Sequence, residues 1–137
     1  MLRIMELNIE VENHCINRKD FCLNCNSQFM KVRPFLKKAV VTNHFRRDVK
    51  DADTIESMIR NVLDCVSLEF NELHKFEKSV NGNLVFRAKK GPWHIVYSVD
   101  KKKRIIFLRA IKNFAEYKRF LENKQKMLEM IDHLGKD

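Results

Sequence analysis

One imidazole stands inside the most basic part of this chain. From Leu84 to Leu121 the sequence reads LVFRAKKGPWHIVYSVDKKKRIIFLRAIKNFAEYKRFL, and His94 is its only histidine. It is thus the one side chain there whose ordinary pKa lies near neutrality. Arg87, Lys89, Lys90, Arg104, Arg109 and Lys112 accompany it, with Trp93 and Tyr117 as aromatic neighbours. These residue types suit cleavage of RNA by its own 2′-OH. That reaction needs a group to take the 2′ proton, positive charge for the phosphorane and an acid for the leaving 5′ oxygen; a metal is not required. Arginine stays protonated, so it can stabilise charge but cannot be the base.

The assignment that follows gives proton transfer to His94 and the phosphate to Arg87 and Arg109. Lys89 and Lys112 position the strand, while Tyr117 stacks on a base or orients the phosphate. Lys90, Trp93 and Arg104 complete the RNA-binding set. Plainer readings stand beside these. His94 opens a hairpin strand, where a half-exposed structural histidine is common. Tyr117 shares a helix face with Phe114 and Leu121, which would make it core. Trp93 serves equally as stacking platform or hairpin anchor, and Lys101 to Lys103 read as a solvated turn that adds field strength.

Three short apolar runs must carry these groups. In the first, Leu84, Phe86 and Ala88 share one face and Val85, Arg87 and Lys89 the other. Ile95, Tyr97 and Val99 alternate with His94, Val96 and Ser98 in the second. Lys90-Gly91-Pro92 and Asp100 to Lys103 are tight turns, so the strands are predicted to be antiparallel neighbours. Regular registers put Arg87 and His94 on the face opposite Phe86 and Tyr97. The third run, Arg104 to Ile111, is apolar on both faces apart from Arg109, as in a central strand. Its registration, and hence the side taken by Arg109, is not determined by the sequence.

Before the hairpins, Ala39 to Asn43 reads as a short strand, and Thr42 or Asn43 caps a short helix. Asp53 with Glu56 forms a capping box for a helix whose stripe is Ile55, Met58, Ile59, Val62, Leu63 and Val66. Phe70 to Asn83 reads as a connector ending in the Asn81-Gly82 turn, with His74 a solvated loop residue. Asn113 and Glu116 make a second capping box, opening a long final helix that packs Phe114, Tyr117, Phe120 and Leu121. Its pattern lapses after Glu122 and resumes at Met127, Leu128, Ile131 and Leu134. That second patch would cover the N-terminal segment or another subunit, leaving a homodimer open.

The whole chain has 137 residues and a formal charge of +9. Between Arg87 and Lys126 stand 13 Lys/Arg against 3 Asp/Glu, so the excess is confined to the hairpins and final helix. Such localisation suits a polyanion-binding face better than a solubilising surface. No apolar run reaches membrane-spanning length, and the acidic N-terminus is unlike a signal peptide. A cytoplasmic protein without membrane contact is expected.

Cys22 and Cys25 have the spacing that lets two thiolates grip one zinc. Cys15 and His14 could complete a structural site, as could Cys65 or a second subunit. Reduced, unliganded thiols are the other reading. Residues 1–38 are read as an N-terminal extension, a small zinc-binding or strand element, and 39–137 as the main domain.

Taken in order, Leu73-His-Lys-Phe76, Gly91-Pro-Trp-His-Ile-Val-Tyr97 and the cationic strand end leading to Glu116-Tyr117 resemble the RelE/ParE toxin superfamily. The likeness covers roughly Ala39 to Lys124, and the middle hairpin is similar to the family's Gly-Asp-Tyr-Arg-Ile-Ile-Tyr run. It implies an α+β fold: a small, mostly antiparallel sheet in β-α-α-β-β-β-α order, packed on two helices. It also implies the toxin of a toxin–antitoxin system, an endoribonuclease acting on mRNA at the ribosome and held by a small acidic antitoxin. The ParE branch implies a non-catalytic protein that binds gyrase instead. A basic nucleic-acid-binding module without activity is the third reading. Arg87 falls where RelE-like nucleases keep a cation, Lys112 near the cation closing their last strand, and Tyr117 on the tyrosine of their C-terminal helix. His94 departs from the family, which usually has Arg there, although some ribosome-dependent relatives use a His. Trp93 stands where the family has Tyr.

Overall fold

Arg104 to Ile111 lacks a polar face, so it can be satisfied only where both of its sides are covered. The structure, a computed structural model, describes residues 5–7, 27–32, 35–64 and 70–135 and puts that strand inside the sheet. The elements in chain order are β1 (Met5–Leu7), α1 (Ser27–Val32), β2 (Lys38–Val41), α2 (Asn43–Val49), α3 (Ala52–Leu63) and β3 (Glu72–Val80). They continue with β4 (Asn83–Lys90), β5 (Trp93–Val99), β6 (Arg104–Ile111), α4 (Phe114–Glu122) and α5 (Lys124–Gly135). The fold is α+β, and among the described residues six strands form one sheet in the order β1-β2-β6-β5-β4-β3. Of these strand pairs only β2–β6 is parallel.

Helices cover both faces of this sheet, not one. On one side Phe86, Ile95, Tyr97, Ile105 and Phe107 pack with Phe29 of α1, Phe45 of α2 and the predicted stripe of α3 from Ile55 to Leu63. On the other, Val85, Val96, Ile106, Leu108 and Ile111 pack under Tyr117, Phe120 and Leu121 of α4 and Met127, Met130 and Ile131 of α5. The sheet face that carries Arg87 and His94 is therefore roofed along its middle. Phe29, from the stretch read as an extension, is fully buried in the first of these cores.

Four sequence expectations need correction. The connector before Asn83 is a strand, β3, which forms an edge of the sheet. His74 within it is not solvated but fully buried, its ring stacked on Phe29 at 3.6 Å. Tyr97 Oη accepts the His74 backbone N–H at 3.0 Å and lies 2.7 Å from Nδ1. The tautomer of the His74 ring sets which partner donates in that Nδ1–Oη bond. Second, α3 is capped by Asp51, not Asp53: Asp51 Oδ2 accepts both the Thr54 N–H and the Thr54 hydroxyl.

Third, the final helix is two. Asn123 ends α4, and its Oδ1 accepts the Lys126 N–H at 3.0 Å to start α5. Lys78 of β3 donates to the Leu121 carbonyl, one of the acceptors that a helix end leaves unpaired. Fourth, Phe114 is absent from the packed face of α4 and is 61% exposed.

Two hairpin turns end the strands as their residues require. Asn81 and Gly82 have φ of 50° and 82°, and Gly91 has φ of 55°, left-handed values that two-residue hairpins demand. The β4–β5 turn, the end of β6 and the start of α4 thereby meet at one end of the sheet. The β3–β4 and β5–β6 turns lie at the other.

Candidate nucleic-acid interface at one end of the sheet

Strand register decides which predicted groups meet. His94 pairs with Lys89 on one side and Ile111 on the other, while Arg87, Val96 and Arg109 form one cross-strand row. Arg109 joins that face because β6 bulges: Val96 pairs with Arg109 and Tyr97 with Phe107, leaving Leu108 unpaired. An extra residue shifts the alternation by one, so Leu108 and Arg109 both point toward α4. Thr42 secures the bulge, donating its hydroxyl to the Leu108 carbonyl at 2.8 Å while accepting the Phe45 N–H as cap of α2.

His94 is half-buried and lies flat on the Tyr117 ring, centroids 4.4 Å apart and planes 12° from parallel. The exposed Phe114 ring meets it edge-on at 5.8 Å. Burial, then the charges of Lys89 and Arg87, push the His94 pKa below its ordinary value, with Glu72 opposing. The shift favours the neutral ring, the form able to accept a proton. Tyr117 is buried, and that burial raises its pKa against the pull of Arg87.

The two arginines assigned to phosphate are held by carboxylates. Arg87 Nη1 donates to Glu72 Oε2 at 2.6 Å, and its Nε lies against Glu77 as an ion pair without a hydrogen bond. Burial works against its charge, but Tyr117, Glu72 and Glu77 outweigh it and hold the pKa above the usual arginine value. Arg109 is gripped by Asp48 of α2 through Nε at 2.6 Å and Nη2 at 3.0 Å, and Nη2 also reaches Glu116 of α4 at 2.9 Å. Asp48 Oδ2 further accepts the Ala110 N–H. Here too burial opposes the charge, and the bonds to Asp48 and Glu116 prevail.

Lysines supply the outward-facing positive charge. Lys112 Nζ sits over the Trp93 ring at 4.6 Å, Lys90 over Phe70 at 5.9 Å and Lys118 over Phe114 at 6.0 Å. One strand end thus gathers His94, Lys89, Lys90, Trp93, Lys112, Tyr117 and Arg87. Arg104 is not among them. It opens β6 at the far end, about 20 Å away by strand rise, where Asp100 binds it through Nε at 2.7 Å.

Glu72, Glu77, Asp48 and Phe114 are members of this neighbourhood that the sequence reading did not assign. The glutamates went unseen because β3 was read as a connector. Register shifts between Glu72 and Lys75 and between Phe76 and Lys78, with His74 at φ 53°, break the two-residue alternation that marks a strand. Phe114 was identifiable from its place directly after the Asn113 cap, in the first turn of a helix whose buried residues begin at Tyr117.

Cys15, Cys22, Cys25, Cys65 and His14, the residues considered for zinc, lie outside the described residues. Among the described residues, no cluster of three His, Cys, Asp or Glu is arranged to hold a metal ion, and no helix is long and apolar enough to cross a membrane. No family model matches the chain, and neither a curated protein nor a solved structure does.

Proposed function

We propose that this chain binds single-stranded RNA at the His94 end of the sheet and cleaves it by 2′-OH attack. The observation that carries the reading is a half-exposed imidazole of lowered pKa flanked by Lys89. Neutral His94 takes the 2′ proton, the 2′ oxygen bonds to phosphorus and the P–O5′ bond breaks. The imidazolium so formed returns its proton to the departing oxygen, leaving a 2′,3′-cyclic phosphate and a 5′-hydroxyl. Lys89 and Lys112 face the phosphates. Arg87, locked by two glutamates, is a positioning residue that holds Tyr117 beneath the imidazole, and Arg109 ties α2 and α4 to β6. Phe114 and Trp93 offer ring faces to unpaired bases.

The likeness to RelE toxins supports this reading and extends it to mRNA on the ribosome, with a small acidic antitoxin covering the same basic end. One observation favours a second reading, a nucleic-acid-binding module without activity. The carboxylates on Arg87 and Arg109 leave the charge of a phosphorane to the lysines among the described residues of this end. Incubating RNA with the parent and with His94→Ala, with ribosomes present and absent, separates the two. The nuclease reading expects cleavage by the parent alone and binding by both. Binding without cleavage by either protein selects the second reading.

A further inference from the structure

The far end of the sheet carries a groove of about 450 Å³, between the β3–β4 turn, the β5–β6 turn and the second half of α5. That volume suits a small organic ligand. Leu128 and Ile131 of α5 give it an apolar wall, Asn81 and Asn83 line the hairpin side, and Lys101 and Lys102 bring positive charge from the neighbouring turn.

The lysine turn is built and not loose. Asp100 is 5% exposed, and its Oδ1 accepts the N–H groups of Lys102 at 3.0 Å and Arg104 at 2.9 Å. Its Oδ2 takes the Arg104 guanidinium, so the Asp100–Arg104 pair neutralises itself. Lys103 adopts φ of 63°, a left-handed conformation that the surrounding bonds enforce. The Lys101 side chain lies across the adjacent hairpin: a β-carbon on Gly82 would come within 2.6 Å of Lys101 Cε. Lys101 and Lys102 both line the groove, with Asp132 the one lining carboxylate that Arg104 does not neutralise.

We propose that this groove is a second binding site, taking a nucleoside phosphate with its phosphate on Lys101 and Lys102 and its base against Leu128 and Ile131. The Asn81 side-chain amide and the Asp132 carboxylate offer hydrogen-bonding partners for the base edge or ribose, while Asn83 is buried and its Nδ2 donates to the Val80 carbonyl. The phosphate comes either from a free nucleotide or from one unit of an RNA strand. The site stands on the opposite end of the sheet from His94 and does not depend on cleavage there.

Amide NMR of the full chain tests it, with titrations of the four ribonucleoside monophosphates, uridine without phosphate, and a short single-stranded RNA. Saturable shifts are expected at Asn81, Asn83, Lys101, Lys102 and Leu128 with a phosphate-bearing ligand. Shifts with monophosphates identify a free nucleotide as sufficient, and shifts with the oligonucleotide alone identify a strand. The Lys101→Ser/Lys102→Ser double variant changes exposed side chains only, and it should weaken binding roughly tenfold or more through loss of charge-assisted contacts. The proposal is overturned if these amides stay unmoved by every phosphate-bearing ligand. It also fails if uridine binds as well as its monophosphate, or if the double variant binds like the parent.

Discussion

His94 is the residue whose surroundings turn a sequence feature into chemistry. Packed flat on Tyr117 and placed beside Lys89, it loses its proton more readily than a free imidazole. The sign of the pH response follows. The base is active when unprotonated, so cleavage should fall as pH drops through a value below about 6.5 and stay level through neutrality. A pH–rate profile measures this. His94→Ala should lower the rate roughly 10²- to 10⁴-fold while leaving RNA affinity within a few-fold of the parent. Phe114 should behave differently, because the proposed binding mode sets its exposed ring against bases and not phosphates. Phe114→Ala should weaken single-stranded RNA binding about 5- to 150-fold without changing its salt dependence, and Phe114→Trp should restore it. The common face of His94 and Arg87 was legible from alternation, since β4 and β5 pair without interruption. The side taken by Arg109 was not, because it rests on the bulge at Leu108, which no local composition announces.

Elements were legible where one physical signal dominated. The α3 stripe from Ile55 to Leu63, the Asn113 cap and the β6 run each follow from periodicity or capping chemistry and are found in the structure. Val66 of that stripe lies outside the described residues. β3 was hidden because its alternation is interrupted at a buried histidine whose partners come from elsewhere. Tyr97 lies 23 residues away in sequence, and Phe29 sits in a helix of six residues. That dependence makes α1 part of the core: Phe29→Ala should cost about 3–5 kcal/mol in urea unfolding, as for other buried aromatics. The division of the final helix at Asn123 was visible only as a lapse in apolar spacing. Asp48 joins α2 to β6 through Arg109 and the Ala110 N–H. Asp48→Ala should therefore destabilise by roughly 2–3 kcal/mol, because it leaves a part-buried guanidinium short of its main partner.

At the scale of the whole molecule, charge and topology point to the same surface. The excess of Lys and Arg lies between Arg87 and Lys126, and the sheet brings Lys89, Lys90 and Lys112 of that stretch to the His94 end. Binding through such contacts releases counterions, so affinity should fall with salt at a log–log slope of about −0.7 for each phosphate neutralised. The variants Lys89→Gln and Lys112→Gln should each reduce that slope by one such step. The most direct test of the central claim is the chemistry of the RNA ends made by purified protein, with ribosomes present and absent. Cyclic phosphate and 5′-hydroxyl ends from the parent, and none from a His94→Ala variant that still binds RNA, are the predicted result. Ends bearing 5′-phosphate, or equal cleavage by the variant, would contradict it.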